Sequence, residues 1–215
     1  MGRSKETAAI YSIEIASDEK LFNPRTRDIL SYETLVSKAP YDHVAIYNSF
    51  LPDNYIELND TEKSKAARRA QQKVVEYVWN LETEDAKTYK QEIAGAYATF
   101  ILHYVEMSKR LKSDSRVLLP SGTHGGMMEL LLKEALVDEV GKKEWSLDEI
   151  GGDFNPSEGF LVELGTDDKG NIQEIIFNFD EYSPVGKNRP KGKFTLSKEK
   201  LESLSQFYKN LHQTE

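Results

Sequence analysis

The amino-acid sequence predicts an α/β fold, a mostly parallel sheet flanked by helices. Three observations carry that expectation. First, an apolar run, a glycine-containing turn and an amphipathic stretch follow one another in RVLLPSGTHGGMMELLLKEAL, residues 116–136. A short apolar strand that arrives after a helix and leads into another fits a sheet covered on both faces. Second, two strand-like runs, FLVEL (160–164) and IQEIIFNF (172–179), are separated by the turn-forming GTDDKGN, which predicts a β-hairpin. Third, several stretches carry apolar residues at spacings of three and four, the mark of flanking helices. With 215 residues the chain can build one core without staples, so a single domain over 1–215 is expected.

In chain order, Lys5–Ala16 reads as a helix, and NPRTRDILSYE (23–33) as a loop opened by Asn23-Pro24. Residues 37–60 are irregular, with Pro40 and Pro52 as breakers. Thr61–Trp79 reads as a helix made locally basic by Lys63, Lys65, Arg68, Arg69 and Lys73. A solvated face is the simpler account of that run. The strongest helix is Glu84–Lys112, where Ile93, Tyr97, Phe100, Ile101, Tyr104, Met107 and Leu111 form one stripe. Lys109, Arg110 and Lys112 complement the dipole at its end. RVLLP is then a buried strand, and GMMELLLKEALVDEV (126–140) the next helix. After the hairpin, a polar loop with Pro184 and Pro190 precedes a last helix over Ser197–Leu211, apolar through Leu201, Leu204, Tyr208 and Leu211. No internal repeat is present.

Composition narrows the function. Hydrophobic residues make up 39% and charged residues 30% of a chain with no cysteine. Disulfides, thiolate catalysis and cysteine-ligated zinc are thereby excluded, and a cytoplasmic setting is expected. A net charge of −8 repels phosphate backbones, so no nucleic-acid partner is expected. No run approaches the length of a membrane span, and no membrane partner is expected. His43 and His212 have no companions at metal-ligand spacing, and His103 falls inside a helix; no metal site and no cofactor follow.

The segment around His124 is the candidate site. The first amides of a helix lack partners within it and lie at the positive end of its dipole, which suits an anion. Gly125 and Gly126 let a ligand approach the backbone, Thr123 offers a hydroxyl, and His124 can donate or accept a proton. Plain packing and turn chemistry would place the same residues there. Neither the Gly-x-Ser-x-Gly elbow nor the Gly-Lys-Ser/Thr phosphate loop occurs in the chain.

GRSKETAAIY at the N-terminus, with Arg3, Thr7 and Ala8, resembles the second motif of the histidine phosphatase superfamily, in its phosphoglycerate mutase-like branch. THGG resembles that family's late motif, and NPSEGFLVEL with the strand after it resembles its C-terminal hairpin. The resemblance implies a three-layer fold and a phosphohistidine mechanism. It places His124 as the second active-site histidine and Arg3 as a phosphate-pocket arginine. Thr123 and Gly125 would also hold phosphate. Asp28, with Glu33 as the alternative, would be the acid that protonates the leaving group. Residues 37–89 would be a helical insertion that shapes the substrate pocket.

The implied function is a phosphomonoester hydrolase or phosphomutase acting on a small phosphorylated substrate, with inorganic phosphate as the minimal ligand. The chain departs from the family in one respect: it contains no Arg-His-Gly and no Arg-His pair. It opens within the second motif, so the N-terminal strand and its nucleophile are expected to be missing and turnover to be closed. The alternative is a non-catalytic pseudophosphatase that binds phosphate or a phosphorylated partner. Substrate identity and oligomeric state are not encoded in any motif.

Overall fold

The computed structural model of the chain describes residues 36–110, 126–154, 158, 160–167, 171–179 and 189–213. Helix α1 (His43–Ser49) starts at Asp42, whose carboxylate accepts the Ala45 amide at 3.0 Å. A 3-10 helix over Tyr55–Glu57 follows. Both lie in the stretch expected to be irregular. None of the residues of α1 is fully buried, but Ile46 and Tyr47, with Phe50 just after the helix, pack half-buried against the core, and the Asp42 cap holds its start. Helix α2 (Asp60–Asn80) opens with a capping box between Asn59 and Glu62, which satisfies two end amides reciprocally.

Helix α3 (Glu84–Ser108) is capped by Thr83 and buries Ala86, Tyr89, Ile93, Ala94, Tyr97, Ala98, Ile101 and Val105. Its buried stripe is shifted from the expected one: Phe100 and Tyr104 are half-buried, and Met107 is exposed. Small alanines occupy the vacated positions because neighbouring helices approach closely there. Leu111 and the expected strand at 116–120 lie outside the described residues, as does the expected helix over 5–16.

The helix expected over 126–140 is shorter. Helix α4 covers Met128–Ala135, and Leu136–Asp138 is strand β1. These three residues leave the helix because they gain a ladder partner. β1 pairs with strand β4 (Phe194–Leu196), and the Ala135 carbonyl accepts the Ser197 amide at 2.9 Å. Strands β2 (Phe160–Thr166) and β3 (Ile172–Phe179) form the expected hairpin. Helix α5 (Lys198–His212) ends the described chain on an apolar face of Leu201, Leu204 and Tyr208, with Leu211 exposed.

The sheet order is β1-β4-β3-β2, and every described pairing is antiparallel. The α/β class therefore holds, but the expected mostly parallel sheet is corrected. Only five residues separate β2 from β3, too few for a parallel crossover, so the two pair antiparallel. Two three-residue strands extend the sheet on the other side of β3. Along β3, Ile175, Phe177 and Phe179 face one way and are buried, the period of two that a covered face requires. One apolar cluster joins α2, α3, α4, α5 and the sheet, so the stretch 37–89 contributes Val74, Val78 and Trp79 to the common core.

The closest helix contact is between α3 and α5. A Cβ added to Gly95 would lie 2.5 Å from the Leu204 carbonyl oxygen and 2.8 Å from Tyr208 Cβ. One turn on, Thr99 Oγ1 donates to the Gly95 carbonyl at 2.8 Å and accepts from Ser205 Oγ at 2.9 Å. Both nearby atoms in α5 are held by the backbone, so the helices must part to admit a methyl group. Gly95→Ala should lower stability by about 1–3 kcal/mol in urea unfolding, despite alanine's better helix propensity. An unchanged midpoint would contradict this packing.

Candidate functional site

The sequence singles out Arg3, Asp28, Glu33, Thr123, His124 and Gly125, and all six lie outside the described residues. The structure does describe the base on which the His124 segment ends. Gly126 has φ +92°, a left-handed conformation that glycine takes without a Cβ clash. Met127 then starts α4 without a side-chain cap.

Glu129, in the first turn of α4, is fully buried. Its carboxylate turns back and accepts the Gly126 amide at 2.9 Å and the Phe154 amide at 2.6 Å. A charged group surrounded by Met and Leu needs such partners, because an unpaired buried charge is expensive. Glu129 thus joins the entry of α4 to the loop over residues 146–154.

That loop is held from two further directions. Asp153 is buried and its carboxylate meets Arg68 of α2 at 2.8 Å. Arg68 also donates to the Phe154 carbonyl at 3.3 Å. Arg68 is therefore half-buried and partnered, while Lys65 and Arg69 of the expected solvated face are exposed. Behind the loop lies Arg189, whose side chain is only 5% exposed against a Glu158 side chain at 1%. Its guanidinium donates to Glu158 at 2.6 Å and to the carbonyls of Ile150, Gly152 and Asp153 at 2.6, 2.7 and 3.0 Å. It also stands 4.2 Å from the Phe154 ring centre. The planar fork of arginine suits this many acceptors at once. Gly151 and Gly152, with φ of 82° and 79°, curl the backbone so that its carbonyls converge on one cation.

Burial sets the electrostatics. It pushes the Glu129 carboxyl up to about 7; the Phe154 and Gly126 amides pull it down, and the charge of Asp153 adds a smaller push upward. Tyr97 of α3 is likewise raised, by burial first and by the Glu129 charge second. Its hydroxyl is buried and makes no hydrogen bond. A carboxyl group that changes charge near neutrality is uncommon away from functional sites. Here it is closed to solvent, so it can hold the chain in place but cannot reach a substrate.

The other histidines sort differently. His212 Nε2 meets Glu92 at 3.0 Å, a carboxylate shared with Lys38. His103 is exposed, and His43 is held below its ordinary value by burial. Among the described residues no three His, Asp or Glu side chains gather as a metal site, and no helix is long and apolar enough to cross a membrane. A cavity of about 40 Å³ borders Gly126 and Met127, room for a water and too small for a phosphoester. A groove of about 420 Å³ runs past Phe50, Lys73 and Tyr77.

No family model, no curated protein and no solved structure matches this chain.

Sequence reading missed Glu129, Asp153, Arg189 and Glu158. The signal for Glu129 was a lone acid in MMELLL; the other three lie in loops whose partners are distant in sequence.

Two predictions follow from the charges. The folded chain retains a proton on Glu129 between pH 4.5, the ordinary value, and about 7. The associated stability is full below the lower value and is lost as pH rises through the upper one. Glu129→Gln does not titrate. Its deficit against the wild type in urea unfolding should therefore narrow by on the order of 3 kcal/mol from pH 4.5 to 8. His43 titrates in both proteins and cancels. A deficit that stays constant with pH would contradict the assignment. Separately, Arg189→Met removes the guanidinium 2.6 Å from buried Glu158 and should cost about 3–5 kcal/mol, with Arg189→Met/Glu158→Gln recovering part of it. Additive losses in the double variant would show that the two residues are independent.

Proposed function

We propose that the chain is a domain of histidine phosphatase lineage that holds inorganic phosphate or a small phosphoester beside His124. Arg3 would neutralise phosphate oxygens with its planar fork, and Thr123 and the Gly125 amide would donate to them. Asp28, or Glu33 in its place, would protonate a leaving group where turnover occurs. Phosphoryl transfer depends mainly on such an electrostatic clamp.

The observation that carries the reading is the helix entry. The chain passes through a left-handed glycine at 126 directly into α4, and Met127 provides no side-chain cap. First-turn amides at such an entry suit an anion. The antiparallel sheet lends the family fold no support, so the reading rests on motif order and the helix entry.

One sequence fact favours the non-catalytic form of this function, binding without turnover: no Arg-His-Gly occurs among the 215 residues. Titration calorimetry with orthovanadate and with inorganic phosphate should show binding to this chain. Arg3→Ala and His124→Ala should each weaken it at least tenfold, roughly the loss of one charge-assisted contact. Hydrolysis of para-nitrophenyl phosphate should be undetectable. Rapid hydrolysis would overturn the non-catalytic form, and absence of binding, or binding indifferent to both substitutions, would overturn the whole proposal.

A further inference from the structure

We infer that Lys133 is a nucleophilic amine: it shares the end of α2 with a second, buried lysine, Lys90, and takes an acyl group from an activated donor, a small thioester. All of the residues involved are described, and none belongs to the proposed phosphate site.

The last carbonyls of a helix have no partners within it. At the end of α2, Lys90 from α3 and Lys133 from α4 converge on them. Lys90 is buried and has three acceptors: the Trp79 carbonyl at 3.3 Å, the Leu81 carbonyl at 2.7 Å and the Glu82 carboxylate at 3.4 Å. Three acceptors match the three protons of an ammonium group, so its charged form is fully used. Lys133 makes one hydrogen bond, to the same Trp79 carbonyl at 2.7 Å, and lies 3.7 Å from Glu82. A neutral amine still donates, so Lys133 keeps that bond when it loses a proton. Geometry alone thus decides which of the two lysines is free to become a nucleophile.

Charge points the same way. Two cations share one carboxylate, and the Glu82 side chain is 65% exposed, so water screens it. The charged groups facing Lys133 are Lys90 from α3, Glu82 from the α2–α3 turn and Glu134 on its own helix, with the Trp79 ring centre 5.1 Å away. Burial first, and Lys90 second, hold the Lys133 amine below the ordinary lysine value, against the opposite pull of Glu82 and Glu134. A lysine that is partly desolvated beside another cation is an activated nucleophile. The Lys133 side chain is 24% exposed, which admits a small donor. Its lone pair attacks the thioester carbonyl carbon. A C–N bond forms, the C–S bond breaks, and the thiolate leaves with the bonding electrons and takes the proton that the amine gives up. The resulting amide is uncharged and retains one N–H for the Trp79 carbonyl. Lys90 and Glu82 then stand as one cation against one carboxylate, so acylation evens the charge of the cluster.

Treatment of the whole chain with the acetyl thioester of N-acetylcysteamine tests this, with occupancy at each lysine followed by peptide mass spectrometry. At pH 8, Lys133 should acetylate several-fold faster than Lys65 and Lys200, although both of those are exposed and Lys133 is not. Its lead should shrink as pH rises toward 10.5, the ordinary lysine value, because an amine already neutral gains nothing while the exposed lysines still shed protons. Glu82→Gln, at an exposed position, should speed Lys133 further, since it removes a charge that favours the ammonium form. Acetylation of Lys133 no faster than of Lys65 and Lys200 overturns the inference, and that measurement needs no variant. A lead that stays constant up to pH 10.5, or a Lys133 rate indifferent to Glu82→Gln, also overturns it, because either would report access and not a weakened hold on the proton.

Discussion

The described structure turns on one constraint: a carboxylate without water must find donors. Glu129 is placed by its own helix among methionines and leucines, and no solvent reaches it. Backbone amides meet that need, brought from two sides, Gly126 and Phe154. Meeting that demand fixes where α4 begins and where the 146–154 loop must run. The loop then needs its own support. Arg68 neutralises Asp153, and Arg189 collects three carbonyls and Glu158. Each charge in the chain of contacts is satisfied by the next.

Buried polar networks of this kind contribute modest net stability, because desolvation offsets much of their attraction. Their effect is on uniqueness. Apolar side chains would tolerate several offsets between α4 and the loop, whereas two short hydrogen bonds to one carboxylate tolerate few. The apolar cluster that joins α2, α3, α4, α5 and the sheet supplies the driving force. The polar network selects the register within it. A phosphate-binding turn on this edge of α4 would gain a rigid base, since the first-turn amides are useful only if they are held in place.

Periodicity made much of the fold legible. α2, α3, the β2–β3 hairpin and α5 follow from apolar residues at spacings of three and four, or two. What escaped has a common cause: the determining interaction is not local. β1 and β4 are too short to show alternation and exist because they pair with each other across about sixty residues. α1 is short and only half-buried, through Ile46 and Tyr47, with its start held by the Asp42 cap. The stripe of α3 shifted because Gly95 and its alanines admit α5 more closely than a pattern of large side chains implies. Arg68 looked like one cation on a solvated face, and only its meeting with Asp153 in space shows otherwise. Beyond the hairpin, the antiparallel direction of the sheet was hidden, since the pairing of β4 and β1 depends on contacts distant in sequence and not on composition. For the candidate site, the six residues of the phosphate reading came from sequence alone and lie outside the described residues, while the Glu129 network was visible only in the structure.

The central claim is that a buried carboxyl, held by the Gly126 and Phe154 amides at the entry to α4, keeps its proton up to near neutrality. The most direct measurement is a carbon-13 titration of the side-chain carboxyl of Glu129 in the native chain, with Glu129→Gln identifying the signal. The account predicts a midpoint at about 7, with the Gly126 and Phe154 amide shifts following the same curve. A midpoint at the ordinary glutamate value, or amide shifts indifferent to it, would contradict the account.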